Sequence, residues 1–329
     1  TQESLTVMEY DELGNMTSIT DPEGHTTTYT YNFMGLQLTR TDPLNHTWQY
    51  EYDKSGNLVK ETDPLGKEIL YEYDNAGNLV RQTDKMGGEY TYEFDGKDRL
   101  IARVDPLGNE TRYELDYQGR KLKETDPEGN SPVYEYDADG RLVKRSSAGG
   151  KTADYFYDDN TAGCSSCSSS GSGKPSRVQY PKVEIQYTYD TMGNRIKTSF
   201  ENVETGEVLE RETAYDSIDN PVFETDLNGK QTTTEYDARA RKVKETLSDG
   251  SVIEYSYDSR SNLIRVTDAN GHITRFEYDR NNRLTREIRP LGQEFSYRYD
   301  GAGNLIEKTD AENQKTAYIY DEVNRLKET

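Results

Sequence analysis

The sequence of 329 residues has few of the side chains from which catalytic and metal centres are built. Only 3 His and 2 Cys are present, and both Cys stand in one short segment, so the chain cannot form a disulfide scaffold. No apolar run approaches the roughly 18 residues of a membrane span, and the N-terminus has no hydrophobic region resembling a signal peptide. With 61 Asp and Glu against 40 Lys and Arg, a basic face for nucleic acid or anionic lipid is not expected.

Aliphatic residues are also scarce. Hydrophobic residues make up 32% of the chain, and Leu, Ile, Val and Phe together roughly 17%, which with a net charge of -21 is typical of disordered chains. The 27 Tyr contradict that interpretation, because disordered chains are poor in aromatic residues. The composition therefore predicts a soluble, acidic chain that folds by burying Tyr in place of aliphatic residues and that is not an enzyme.

A Tyr-Asp dipeptide recurs through the chain at a spacing of 21 residues. The spacing is constant from residue 10 to 157 and from 215 to 320, and only two steps are longer, by 11 and by 5 residues. The first position is Tyr in 13 of 15 cases, with Phe94 and Leu115 as the exceptions, and the second is Asp in 14. The repeat-defining residues, with the turn glycines discussed next, are Tyr10, Asp11, Tyr31, Tyr52, Asp53, Gly56, Tyr73, Asp74, Gly77, Tyr136, Asp137, Tyr157, Tyr189, Tyr215, Tyr236, Tyr257, Tyr278, Tyr299 and Tyr320.

One repeat, YDKSGNLVKETDPLGKEILYEYD from Tyr52 to Asp74, contains two turn signals and two strand signals. Asp53 can cap a type I turn, and Gly56 suits the positive-φ position that follows it. The segment DPLG, residues 63–66, places Pro at the second turn position and Gly at the end. The segments between the turns alternate with the period of 2 that is typical of strands. Each repeat is therefore predicted to be two antiparallel strands joined by tight turns.

The Tyr form two columns. Thirteen occupy the dipeptide position and eleven lie two residues earlier, on the same face of a strand, while the residue between them is often Glu. We therefore expect one aromatic face and one charged face. A sheet of about 30 strands at roughly 4.8 Å spacing cannot stay flat, because twisted sheets of that width curl, split or close. The predicted fold is all-β, a continuous antiparallel array of about 15 hairpins curling into a spiral, open or partly closed shell.

Two insertions interrupt the period without changing its phase. The first predicts a Gly- and Ser-rich surface loop over residues 158–176, and the second a hairpin extension over residues 200–207. One domain is expected, a single array over 1–329. The first loop holds Cys164 and Cys167, whose C-x2-C spacing fits two free thiols, a tight disulfide or half of a zinc site, with no second pair in the chain to complete such a site.

Three further patterns have simpler explanations in the repeat. His25, His46 and His272 occupy one repeat position that Lys, Asn or Gln fills elsewhere, so they are expected at solvated strand starts and not as ligands. Calcium needs six to eight oxygens, but equivalent Asp in successive hairpins would lie roughly 9 to 10 Å apart, and turn capping explains them better. No nucleophile motif or phosphate loop is present, so the sequence predicts no catalytic, metal or cofactor site.

The unit YDxxGNLxxxTDPLG, most complete at residues 52–66, resembles the YD repeat of the RHS (rearrangement hotspot) family. That family includes bacterial polymorphic-toxin proteins, the B and C components of toxin complexes, wall-associated bacterial proteins and the animal teneurins. The resemblance implies a long β-sheet that spirals into a hollow shell, which in the toxin members encloses an unfolded or partly folded toxin. The family's plug-like N-terminal domain, core-ending motif and self-cleaving aspartates have no counterparts here.

On this basis the chain is expected to be a non-catalytic segment of a shell wall that shelters a polypeptide on a Tyr-lined concave face. Its partners would be that cargo or adjoining repeats of a longer parent protein, one that is secreted, bacterial, and extracellular or on the cell surface. The alternative is an extracellular module that binds carbohydrate or a cell-surface partner. Its candidates are the Tyr outside the two columns, Tyr90, Tyr117 and Tyr180.

Overall fold

The computed structural model describes residues 5–157 and 173–329. In both ranges the regular structure consists of β-strands joined by short turns. No helix occurs in these ranges, and so none that is long and apolar enough to cross a membrane.

The strands have the following bounds. In the first range they are β1 (Val7–Tyr10), β2 (Met16–Thr20), β3 (Thr26–Tyr31), β4 (Gln37–Thr41), β5 (Thr47–Tyr52), β6 (Leu58–Thr62), β7 (Glu68–Tyr73), β8 (Leu79–Thr83), β9 (Glu89–Phe94), β10 (Leu100–Val104), β11 (Glu110–Leu115), β12 (Lys121–Thr125), β13 (Val133–Tyr136), β14 (Leu142–Ser146) and β15 (Thr152–Phe156). In the second they are β16 (Arg177–Gln179), β17 (Val183–Tyr189), β18 (Arg195–Asn202), β19 (Val208–Tyr215), β20 (Pro221–Thr225), β21 (Gln231–Tyr236), β22 (Lys242–Thr246), β23 (Val252–Tyr257), β24 (Leu263–Thr267), β25 (Ile273–Tyr278), β26 (Leu284–Ile288), β27 (Glu294–Tyr299), β28 (Leu305–Thr309), β29 (Lys315–Ala317), β30 (Ile319–Tyr320) and β31 (Leu326–Glu328).

From β1 to β29 each strand pairs antiparallel with the strand that follows it in the chain. β1 to β29 form one 29-stranded sheet, and β30 and β31 form a further hairpin. Within the described residues β1 pairs only with β2, so strand pairing does not close the sheet. The predicted all-β array of antiparallel hairpins is confirmed.

Both turns of the repeat have the same geometry. In the turn after the Tyr-Asp dipeptide, the YD turn, the Gly56 N–H donates to the Asp53 carbonyl (3.1 Å) and the Asp53 N–H to the Asn57 carbonyl (2.9 Å). The other turn, the DP turn of residues 63–67 and its equivalents, repeats both bonds. φ is +89° at Gly56 and +74° at Gly66, a left-handed conformation in which a side chain is costly. These are the turns that the Asp and Gly spacing predicts.

The sheet contains an irregularity that the strand pattern did not predict. In the YD hairpin of β5 and β6, Tyr52 pairs with Leu58 but Glu51 pairs with Lys60, which leaves Val59 as the extra residue of a β-bulge. The DP hairpin of β6 and β7 has no such shift. Every YD hairpin except β15–β16 carries the bulge. Because the bulges lie along one edge, they bend and twist the strands there and favour coiling of the sheet.

The left-handed turn position provides a first prediction. Ala240 has φ +57° in its YD turn, so Ala240→Gly is expected to raise the free energy of unfolding by about 1 kcal/mol. The control is Ala76→Gly, one position earlier in an equivalent turn and outside the left-handed region, which is expected to lower the free energy by roughly 0.5 kcal/mol. Urea denaturation measures both free energies. Equal effects at the two positions would contradict the left-handed conformation assigned to Ala240.

The sheet coils so that its two edges meet. A DP turn near the start of the chain contacts a YD turn near its end through two hydrogen bonds. Nδ2 of Asn281 donates to Oδ2 of Asp21 (2.6 Å), and the Arg280 N–H donates to Oε1 of Glu23 (2.8 Å). These bonds join successive turns of a spiral.

The next turns along both edges continue this contact. Gly301 lies against His25 and Pro43, and Leu44 and Leu65 border a cavity together with residues 318–322. The paired turns begin at residues 21 and 279, 42 and 300, and 63 and 321, a constant separation of 258 residues. For the first pair this separation contains the 23 strands from β3 to β25, or eleven and a half repeats. At about 4.8 Å a strand, the circumference is at least about 110 Å and the diameter at least about 35 Å.

A conventional hydrophobic core is missing from the described residues. The buried hydrophobic side chains there are Ala102, Ala153 and Val178, all small. The sheet is a single layer, so its stability depends on the hydrogen-bonded ladder, the turns and side-chain rows along each face, and not on a second layer packed against it.

Candidate functional site: the aromatic face

The two faces of the sheet differ in exposure. In β5 and β7 the Tyr of both columns are half-buried, whereas Glu51 and Glu72 between them are exposed. The charged face carries cross-strand ion pairs, such as Nζ of Lys60 with Glu51 (2.9 Å) and with Glu68 (3.0 Å). On the other face, burial raises the pKa of Tyr50 and Tyr71, which therefore remain neutral phenols at physiological pH.

The aromatic face also carries charge, which corrects the expected division into one aromatic and one charged face. The bulge shifts the register between paired strands. As a result, a charged residue often pairs with the Tyr column that lies two residues before the dipeptide, as Glu61 does with Tyr50. Some of these charges lie against aromatic rings, and the Cζ atom of Arg40 is 4.7 Å from the ring centroid of Trp48. Both signs occur and nearly cancel. Where this column holds an aromatic residue, Phe276 included, its charged cross-strand neighbours are Arg40, Glu61, Arg103, Glu124, Arg145, Glu287 and Lys308.

The Tyr of the dipeptide column have a structural role that depends on the hydroxyl. The ladder between β6 and β7 ends at the pair of Lys60 and Leu70, and beyond it the Tyr73 hydroxyl donates to the Leu58 carbonyl (3.0 Å). Leu58 is the residue before the bulge of the preceding repeat. The bond therefore satisfies a carbonyl next to the bulge and joins consecutive repeats. The equivalent bond is made by Tyr31, Tyr52, Tyr136, Tyr157, Tyr215, Tyr236, Tyr257, Tyr278, Tyr299 and Tyr320. Tyr189 donates in the same way to the Pro175 carbonyl, before β16, in the hairpin that has no bulge.

This bond predicts opposite effects for two hydroxyl substitutions. Tyr73→Phe leaves the Leu58 carbonyl without its donor and is expected to lower the free energy of unfolding by about 1–2 kcal/mol. Phe94 occupies the same column without a hydroxyl, and Phe94→Tyr is expected to add the bond and stabilise by about 1 kcal/mol. Guanidinium denaturation measures both, and loss of stability in Phe94→Tyr would count against the proposed geometry.

At the ends of the YD turns, Arg links one repeat to the next. Nε of Arg241 donates to Oδ2 of Asp237 (2.7 Å), and Nη1 donates to the Asp258 carbonyl (3.2 Å). Its Cζ atom lies 4.6 Å from the ring centroid of Tyr257. The hydrogen bond from Arg241, the largest cause, lowers the pKa of Asp237 to about 2. The recurring Asp thus caps the turn and binds its neighbours, as the repeat pattern predicts.

The three His make the same contact within their own DP turns, but their surroundings differ. Nδ1 of His25, His46 and His272 lies 3.0, 3.2 and 3.1 Å from the Asp that opens the turn. The His272 side chain is 58% exposed, as expected for a solvated strand start, whereas His46 is 22% exposed next to the following turn of the spiral. In residues 5–157 and 173–329 no group of three or more His, Cys, Asp or Glu is placed to hold a metal ion. Cys164 and Cys167 lie outside the described residues.

The three Tyr outside the columns are widely separated in the fold. Tyr90 is on β9, four residues before Phe94, so it extends the aromatic face. Tyr117 is at the tip of a YD turn, 76% exposed, and its hydroxyl accepts a hydrogen bond from Nε2 of Gln118 (2.8 Å). Tyr180 lies in the short turn between β16 and β17 and borders a cleft on the aromatic face.

This cleft, called the tyrosine cleft below, forms where the repeat is irregular. β16 has only three residues, and the hairpin of β15 and β16 pairs without the bulge. The open cleft has a volume of about 380 Å³ and is bordered chiefly by Tyr155, Tyr180, Tyr187, Tyr189, Lys174 and Arg195. The rings of Tyr187 and Tyr189 are 6.4 Å apart and inclined by 45°. No feature of the repeat period predicted this site.

The family model described as RHS Repeat matches seven segments of the chain, which together cover more than half of it. They are residues 10–47, 35–68, 52–89, 73–109, 94–131, 257–294 and 299–329. The chain belongs to the RHS repeat family. No curated protein sequence matches it.

Solved structures share the RHS repeat fold at low sequence identity. A crystal structure of TcdB2-TccC3 aligns with a TM-score of 0.80 and 16% identity over 99% of this chain and 20% of that one. A Photorhabdus luminescens Tc holotoxin pore with a substituted TccC3 gives a TM-score of 0.80 and 16% identity over 98% and 19%. A TcdB2-TccC3-Cdc42 structure gives a TM-score of 0.75 and 14% identity over 97% and 21%. The chain thus spans about a fifth of the length of these neighbours.

Proposed function

We propose that the chain is a non-catalytic segment of a shell wall whose aromatic face is concave and shelters a polypeptide. The observation that carries the proposal is the edge contact between successive turns of the spiral, through Asn281 with Asp21 and Arg280 with Glu23. With that contact the single layer surrounds a space, and half-buried Tyr on one face with exposed Glu on the other supports placing the Tyr inside.

The dimensions fit a polypeptide. A diameter of at least about 35 Å between opposite backbones leaves at least about 25 Å after side chains of about 5 Å on each wall. An extended chain or a helix of about 10–12 Å enters such a space. Tyr suits the lining because its ring contacts apolar side chains and its hydroxyl bonds polar ones, so a cargo of mixed composition is accepted.

Carbohydrate binding is the less favoured proposal, because sugar rings stack on open aromatic faces. Several ring faces here are already covered by cations, with the Cζ atoms of Arg120, Arg141 and Arg283 lying 4.7 to 4.8 Å from Tyr centroids. Tyr117 is exposed but stands alone at a turn tip.

A secreted, extracellular parent protein is part of the shell-wall proposal, since the neighbours include a Tc holotoxin.

Crosslinking tests which face meets the cargo. An unfolded polypeptide is fused to the C-terminus, and a photoreactive amino acid replaces either Tyr71 or Glu72, adjacent residues on opposite faces of β7. The proposal predicts that crosslinks to the fused segment form at least several-fold more often from position 71. Equal yields from the two positions, or more from position 72, would overturn it. Circular dichroism controls for the fold of both variants.

A further inference from the structure

The tyrosine cleft contains hydrogen-bond donors that the fold does not use. Among the described residues, no group accepts a hydrogen bond from the hydroxyls of Tyr155, Tyr180 or Tyr187. By contrast, the Tyr189 hydroxyl donates to the Pro175 carbonyl (3.0 Å), as its column predicts. Burial raises the pKa of Tyr155 and of Tyr187, so both hydroxyls stay protonated donors at neutral pH.

Two cations border the same cleft and cover its ring faces. The Cζ atom of Arg195 lies 5.2 Å from the centroid of Tyr187, and Nζ of Lys174 lies 5.7 Å from that of Tyr189. Nζ of Lys174 also donates to the Gly193 carbonyl (2.8 Å), which holds it at the rim. Among the residues that the structure describes, no carboxylate borders the cleft. A ligand therefore meets hydroxyl donors and positive charge, but these two ring faces are not free for stacking.

We propose that the tyrosine cleft binds the carboxylate of an Asp or Glu side chain in an extended polypeptide. A carboxylate accepts hydrogen bonds from several donors at once, and bonds from phenols and a guanidinium strengthen each other in a partly dry site. An acidic sugar offers the same charge, but its ring would need an open aromatic face. This inference rests on the proposed sheltering of a polypeptide and names one type of side chain that the wall recognises.

Peptide binding to the full 329-residue chain tests the inference. The probes are two fluorescein-labelled peptides of Gly and Ser that carry one Glu or one Gln at the centre, with binding followed by fluorescence anisotropy. The Glu peptide is expected to bind about 10-fold more tightly, the effect of one charge-assisted hydrogen bond. Arg195→Gln should remove the preference, and Tyr187→Phe, which keeps the ring, should reduce it about 3-fold. Tyr71→Phe in a regular repeat is the control and should leave it unchanged.

Three outcomes overturn the inference. They are equal affinity for the two peptides, no binding of either, and a preference for the Glu peptide that persists in Arg195→Gln. Glucuronate and acetate are also compared as competitors of the Glu peptide. If glucuronate displaces the peptide at one-tenth of the acetate concentration or less, the cleft is reassigned to an acidic sugar. None of these results bears on the crosslinking test, which uses β7, so failure of the cleft and failure of the shell proposal are separable.

Discussion

Gly301→Tyr is expected to open the spiral while leaving the strands intact. A Cβ atom at Gly301 would lie 3.1 Å from Cδ2 of His25 and 3.4 Å from Cβ of Pro43, which belong to the neighbouring turn of the spiral. The larger ring therefore forces the two edges apart, with a cost of about 1–3 kcal/mol for overpacking. Once the edge contact is lost, only the local bends of the strands favour coiling in the described region, and the two edges can move apart.

Solution X-ray scattering measures the opening. A compact chain of this length has a radius of gyration of about 20 Å, whereas 31 strands at about 4.8 Å would form an uncoiled strip about 150 Å long. The control is Gly96→Tyr, at the same position of another YD turn, where a Cβ atom meets nothing within 4 Å. Tyr117 shows that the turn itself accepts this side chain. Indistinguishable scattering curves for the two variants would show that the edge contact does not hold the spiral.

Acid is expected to unfold the protein cooperatively between about pH 4 and pH 2. The hydrogen bond from the paired Arg lowers the pKa of Asp95 and of Asp237 to about 2, and many other turn Asp are lowered by the bonds they accept, as Asp53 is by Asn57. An unfolded Asp has a pKa of about 3.9. Since the folded values are lower, the stabilisation is fully present above pH 4 and is lost as the pH falls through the folded values. Repetition through the array makes the summed loss large.

Asp237→Asn and Glu128→Gln separate this linkage from net charge, because each removes one negative charge. Asp237→Asn is expected to have a lower urea midpoint than the parent at pH 6 and a smaller deficit at pH 3, where the pH lies below the pKa of an unfolded Asp and part of the stabilisation is already lost. The Glu128 carboxylate accepts no hydrogen bond among the described residues, so Glu128→Gln should match the parent at both pH values. Parallel pH profiles for all three proteins would refute the turn carboxylates as the origin of acid unfolding.

The sequence predicted local structure well because the residues that determine each turn lie within that turn. Asp53 and Gly56 fix a turn through bonds and a backbone conformation that involve only five residues. The bulge at Val59 was missed, although a signal was present: two strands of equal length and two equal turns make an even number of residues, and the period is odd. The structural role of the Tyr73 hydroxyl was also missed. Its hydrogen bond to the Leu58 carbonyl, next to the bulge, can be recognised only once β5, β6 and β7 are placed side by side.

The edge contact and the tyrosine cleft had no signal in the sequence. Asp21 meets Asn281 because small bends add up over 23 strands, and no local pattern determines that sum. The cleft depends on the short β16, where the period breaks and strand lengths depart from those of the repeat. Tyr180 could be singled out as outside the columns, but its neighbours in space could not be named.

The half-integer number of repeats in one turn of the spiral has a consequence for how such chains can change length. DP turns lie along one edge of the sheet and YD turns along the other. A DP turn and a YD turn are therefore separated by an odd number of strands when the two edges meet, as with β3 to β25. Duplication or deletion of a whole repeat adds or removes two strands and keeps that number odd. Recombination between repeats can therefore widen or narrow the spiral while the edges still meet, whereas gain of a single strand would misalign every later contact.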